Sequence, residues 1–148
     1  MEPLLLIPLI ISFLIVLFFT PLWIKKAKEI GLVWEDMNKY KHPKNVAGSG
    51  GLIVLLGFTL GVLFYIAIKT FILKTDLTTI EIFSLLSTVL IAGFIGMVDD
   101  FLGWARGGLS AKLRILLLFF AAIPLMVINA GESTMLGINF GLLYPLVL

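Results

Sequence analysis

Two carboxylates stand side by side, Asp99 and Asp100, at the close of an uncharged apolar run in "GFIGMVDDFLGWARGGLSAK", residues 93–112. Neighbouring acids repel each other, and negative charge late in a helix opposes the helix dipole. Interfacial water at an ordinary loop start relieves that clash, and so does a bound cation or a proton. A charge at mid-bilayer costs about 2.5–3.5 kcal/mol on insertion scales and less near an interface, so depth sets the severity. Carboxylate oxygens suit a hard cation such as Mg²⁺. Neighbours on a regular helix point about 100° apart, so both carboxylates reach one centre only where the helix unwinds near Asp99. Gly103, Gly107 and Gly108 let the backbone turn back and approach an anion, and Arg106 and Lys112 add positive charge. Carboxylates for a metal, with cations and glycines for phosphate, are the parts that phosphoryl transfer uses.

A second stretch, "VWEDMNKYKHPKNVAGSGGL" at 33–52, holds Asp36, Asn38, Lys39, Lys41, His42 and Lys44 ahead of Gly48, Gly50 and Gly51. A glycine-rich helix start binds anions readily, because unpaired amides and the dipole both favour negative charge. Taken alone, the segment is equally a solvated basic loop followed by close-packing glycines. His42, a single loop histidine, is weak evidence for chemistry.

The elements that carry these stretches are membrane helices. The 148 residues are 60% hydrophobic and 14% charged, with a mean hydropathy of +1.13. That is more apolar surface than one small soluble core can bury. Spans are predicted over about 1–24, 48–68, 81–98 and 113–130, each near the ~20 residues that cross a bilayer. A fifth apolar stretch begins after Gly131 and breaks off, which reads as part of a longer polypeptide. The expected fold is an all-α polytopic helix bundle, one domain over 1–148, with loops at 25–47 and 99–112. A cleaved signal peptide fits poorly, since Glu2 replaces a basic start and "TPLWIKK" offers no small-residue cleavage site. There is no cysteine, so disulfides and thiolate metal sites are excluded.

The basic residues orient the bundle. Lys25, Lys26, Lys28, Lys39, Lys41 and Lys44 in one loop, with Arg106, Lys112 and Arg114 in the other, make nine of the 11; Lys69 and Lys74 face the opposite side. The positive-inside rule then puts both basic loops, and with them Asp99 and Asp100, in the cytoplasm, and the N-terminus outside. No nucleic-acid partner is expected.

The combination of "DMNKYKHPKNVAGSGG" and "GMVDDFLGWARGGLSAK", one at each basic edge and separated by two spans, resembles the polyprenyl-phosphate N-acetylhexosamine-1-phosphate transferases. The following "KLRILLLFFAAIPLMVINAG" and the terminal "NFGLLYPLVL" look closest to the dolichyl and archaeal branch. The resemblance implies that a polyprenyl phosphate, dolichyl or undecaprenyl, attacks the β-phosphate of a UDP-N-acetylhexosamine, most simply UDP-N-acetylglucosamine. A polyprenyl-diphospho-sugar and UMP result. Mg²⁺ is the implied cofactor, with Mn²⁺ as a substitute, in an archaeal or bacterial plasma membrane or the ER membrane. It puts Asp99 and Asp100 at the catalytic centre and in the metal site, their separate roles open. It matches Lys112 to a phosphate-binding lysine and Asp36 to an acid of the first loop. Lys39, Lys41 and Lys44 compete for one lysine role there, beside Gly50 and Gly51.

The resemblance covers only the first half of such enzymes. Their later "NxxNxxDGxDG" loop, which contributes a metal ligand, and their sugar-recognition loop have no counterpart in these residues. The 148 residues alone are therefore expected not to catalyse; a C-terminal half or a partner chain, a second copy included, would complete them. Rival readings are a non-catalytic membrane subunit, whose basic loops only set topology, and a small ion or proton carrier. A carrier would bury its acids between spans rather than set them on a basic, glycine-rich loop. The CDP-alcohol phosphotransferases also use intramembrane aspartates, but their "DGxxAR" pattern is missing.

Overall fold

A computed structural model describes residues 5–36, 38–74, 78–128, 134–135 and 138–139. The long uncharged run at the N-terminus forms α1, Leu6–Glu29. It continues past the expected end at Ile24 because Lys26 and Lys28 complement the dipole in its last turn. Gly31, at φ 78°, then turns the chain. Val33–Trp34 (β1) and Val46–Ala47 (β2) pair antiparallel across the first loop, Val33 opposite Ala47 and Trp34 opposite Val46.

The second span is α2, Gly51–Ala67, prolonged by a π-helical turn, Ile68–Leu73, and closed by Lys74 in the left-handed region. The third, α3, runs Thr79–Arg106 and ends on Gly107, whose φ of 91° suits an αL cap with its N–H donating to Gly103 O at 3.3 Å. Ser110 caps α4, Ala111–Ala121, by accepting from the Leu113 N–H. The fourth span was expected as one helix. It is instead interrupted at Ala122 and resumes as α5, Ile123–Ile128, because Pro124 has no N–H to give and its ring crowds the carbonyl four residues back. A small ribbon, β3 (Thr134–Met135) with β4 (Ile138–Asn139), follows. The apolar stretch expected beyond it lies outside the described residues.

Among the described residues, four stretches are long and apolar enough to cross a membrane: Leu6–Glu29, Gly51–Leu73, Thr79–Trp104 and Ala111–Ile128. The all-α expectation holds, the two-residue strands aside. Glycines set the spacing of the helices. A Cβ at Gly57 would lie 2.6 Å from Val16 Cγ2, and one at Gly61 would overlap Ser12 Oγ, so this glycine pair lets α1 and α2 touch along their backbones. Gly93 does the same for Leu55 between α3 and α2. The Ser84 hydroxyl, on α3, donates to Pro124 O at 2.6 Å and ties α5 to the bundle. Buried apolar residues are few, among them Leu32, Ile53, Leu86 and Ile95, while Leu9, Phe13, Phe18 and Leu22 of α1 point outward. That is the pattern of helices whose outer faces meet lipid tails rather than water.

Candidate functional site

The helix does not unwind at Asp99. α3 stays helical through both acids to Arg106, so the condition for their convergence on one centre is unmet and the two carboxylates have different surroundings. Asp99 is about four-fifths buried and fully engaged: Oδ1 accepts from the Leu109 N–H at 2.9 Å and from Arg114 Nη2 at 3.0 Å, and Oδ2 lies 2.9 Å from the same nitrogen. Gly107 and Gly108, both at positive φ, turn the chain back so that Leu109 can donate. A Cβ on Gly108 would press to 3.3 Å from Asp99 Oδ1. These glycines, expected to approach an anionic ligand, fold the loop onto the protein's own carboxylate. The cation in that contact is Arg114; Arg106 has its side chain outside the described residues.

Asp100 is exposed and makes no ion pair among the described residues. The residue stands on the rim of a cleft of about 670 Å³ between α2 and α3. Ser49 and Gly51 share that rim, and Leu52, Leu55, Phe58, Gly96 and Met97 line the apolar body. The Ser49 hydroxyl is buried without a hydrogen-bond partner, at a residue held at φ 55°. Nothing crowds Gly50 or Gly51, where an added Cβ would meet open space. The cleft is thus apolar with a polar mouth: one free carboxylate, one unpaired hydroxyl and the start of a helix.

The first loop is organised by Asp36. Its Oδ1 accepts from the Asn38 N–H at 3.1 Å, Oδ2 lies 3.5 Å from Lys39 Nζ, and its own N–H donates to Pro43 O. Asp36 and Lys39 therefore close the loop on each other. Lys41 Nζ stands 5.7 Å from the centre of the Tyr40 ring. Lys44, exposed in the loop, and Lys112, exposed in the first turn of α4, have no hydrogen-bond or ion-pair partner among the described residues. His42 is exposed, and its backbone N–H donates to Lys39 O. Among the described residues no cluster of three or more His, Cys, Asp or Glu is present to hold a metal ion.

Sequence reasoning missed four contributors. Arg114 counted only as a boundary charge, although a lone arginine opening an apolar span was a signal that it had a partner. Ser49 went unremarked between glycines. The tryptophans were overlooked as well: Trp23 Nε1 donates to Gly48 O at 3.0 Å and Trp104 Nε1 to Gly31 O at 2.9 Å. Both basic loops are thereby gathered at one end of the bundle.

Comparison with known proteins agrees with the resemblance read from the two loop motifs. The chain is 32% identical over 151 residues, 97% of its length, to a Saccharolobus solfataricus protein, and 29% identical over 148 residues, again 97%, to one from Sulfolobus acidocaldarius. Both carry the provisional name UDP-N-acetylglucosamine–dolichyl-phosphate N-acetylglucosaminephosphotransferase. It is also 32% identical over 149 residues, 95% of its length, to a phospho-N-acetylmuramoyl-pentapeptide-transferase of Streptococcus pyogenes. These matches take in 42%, 43% and 44% of the three relatives, so the chain spans less than half the length of the curated proteins it matches. No family model matches it.

Proposed function

We propose that this chain forms the N-terminal part of a membrane enzyme that moves an N-acetylhexosamine-1-phosphate, in the simplest case N-acetylglucosamine-1-phosphate, from a UDP-sugar to a polyprenyl phosphate. A non-bridging oxygen of the lipid phosphate forms a bond to the β-phosphorus of the nucleotide sugar. The bond from that phosphorus to the α–β bridging oxygen breaks, and UMP leaves with the electron pair. The observation that carries the reading is the free Asp100 carboxylate on the rim of an apolar cleft that the unpaired Ser49 also lines. A lipid phosphate has that same division into an apolar chain and an ionic head.

The two acids divide the work. Asp99, occupied by Arg114 and Leu109, holds the start of α4 against the end of α3, a positioning role. Asp100 is the carboxylate available to a reacting phosphate or to a metal. Mg²⁺ is held by few protein carboxylates together with substrate phosphates and waters, so one free carboxylate on the cleft rim fits a partial Mg²⁺ site. Asp100 would hold the ion, which when bound neutralises charge on the phosphates; Mn²⁺ would fit the same oxygens. Lys44 and Lys112 are free cations, among the described residues, for the nucleotide phosphates; Lys39 and Lys41 are already engaged. The nine-to-two split of basic residues puts this end in the cytoplasm.

The test is transfer from radiolabelled UDP-N-acetylglucosamine to polyprenyl phosphate. It uses membranes holding this chain with the C-terminal remainder of an archaeal relative, across a Mg²⁺ series. Asp100→Asn should lower turnover at least a hundredfold and Lys112→Ala should raise KM for the nucleotide. Near-parental turnover in Asp100→Asn would refute the reading.

A further inference from the structure

The cleft's two rims belong to different parts of the chain: Ser49 and Gly51 end the first loop, and Asp100 stands on α3. Something must fix their separation; α2 and α3 touch closely lower down, at Leu55 and Gly93. Trp34, in β1, bridges the two sides. The five-membered end of its indole lies on Gly48: a Cβ there would come within 2.5 Å of Nε1 and 2.6 Å of Cδ1. The six-membered end reaches α3, with Cη2 3.5 Å and Cζ2 3.8 Å from where a Cβ on Gly103 would sit. That same position is 4.0 Å from Gly108 Cα, and Gly108 packs on Asp99. A continuous line of contacts therefore runs from Gly48, next to Ser49, through the indole to the carboxylate-bearing end of α3. The strand pairing of Trp34 with Val46, and the bond from the Gly48 N–H to Leu32 O at 3.0 Å, hold the indole's base.

We infer that Trp34 is a positioning residue: its indole is the spacer that sets how far the Ser49–Gly51 rim stands from Asp100. It acts through Gly48 and Gly103. The two glycine contacts are unequal, which gives the inference a signature. A methyl on Gly48 must displace the indole, whereas one on Gly103 meets it at ordinary van der Waals distance. The catalytic consequence rests on the proposed transferase reading; the spacing does not.

The chain lacks cysteine, so nitroxides at Tyr40→Cys and Leu102→Cys, both exposed, report loop-to-α3 distance in nanodiscs. The parent and Gly103→Ala should give one narrow distance distribution. Trp34→Ala and Gly48→Ala should each shift or broaden it, and Trp34→Phe should restore most of the narrow component. Gly48→Ala should add nothing on the Trp34→Ala background, where its clash is gone. A parental distribution in Trp34→Ala, or an equal Gly48→Ala effect in both backgrounds, would overturn the inference. In the completed enzyme, Trp34→Ala should lower kcat about tenfold or more with KM for the UDP-sugar held within twofold, as misplacement of reacting groups does. A changed distance with unchanged kcat would overturn the positioning role. Absence of transfer in the parent would count against the proposed function, while the distance series still decides the spacer.

Discussion

Replacing each acid by asparagine separates the two aspartates by stability. Asp99→Asn keeps an oxygen to accept the Leu109 N–H but removes the charge facing Arg114, whose Nη2 lies 2.9 and 3.0 Å from the two carboxylate oxygens. Fully exposed ion pairs contribute about 0.2–1 kcal/mol, and hydrogen bonds to charged groups about 1.5–3. With side chains 21% exposed for Asp99 and 49% for Arg114, solvent screening holds the pair below the charged hydrogen-bond range, and the expected loss is about 1 kcal/mol. Asp100→Asn removes an exposed charge with no ion partner among the described residues, well before the last turn of α3, so stability should change by less than about 0.5 kcal/mol. Reversible unfolding in mixed micelles, followed by tryptophan emission, measures both. Arg114→Gln on the Asp99→Asn background should cost little more, since the interaction is already gone. Equal losses in the two aspartate variants, or a larger loss for Asp100→Asn, would refute the division of roles. Repulsion between neighbouring acids would by itself make removal of either charge stabilising; the Arg114 contact reverses that for Asp99.

Other outcomes follow from packing and charge. Gly61→Ala should cost about 1–3 kcal/mol in the same unfolding assay, because its methyl overlaps Ser12 Oγ and approaches Pro8 O to 2.9 Å. Ser84→Ala should cost about 1 kcal/mol by removing the bond to Pro124 O, with a loss below 0.3 showing that α5 is held otherwise. In intact cells an impermeant maleimide should label Lys74→Cys and leave Tyr40→Cys unlabelled until the membrane is opened; the reverse pattern would invert the proposed topology.

Hydropathy made the helices legible, because a span needs only length and apolar composition. Their ends were less so: Lys26 and Lys28 prolong α1, a π-helical turn prolongs α2, and Pro124 divides the fourth span. The acidic pair was legible as a site, but not the difference between its members. That difference depends on a 15-residue return from Asp99 to Arg114, which no local pattern encodes. Glycines misled in a specific way. Gly108 serves an internal carboxylate, Gly48 an indole and Gly61 a neighbouring helix, while Gly50 and Gly51 stand open at a helix start as an anion site would require. Composition cannot separate these uses, because each answers to a partner distant in sequence.

The Leu55–Gly93 contact has a mechanical consequence. Leu55 bears on a position where α3 has no side chain, so any tilt of α3 against α2 would turn about this contact. Asp100 lies two turns along α3 from it, an arm of about 10 Å at the helical rise of about 1.5 Å per residue. A tilt of about 10° therefore sweeps the carboxylate through roughly 2 Å, the difference between a hydrogen-bonded and a separated pair of groups. Filling Gly93 with a methyl would jam the lever near its bearing, and the largest displacement would be felt at its far end, beside Ser49.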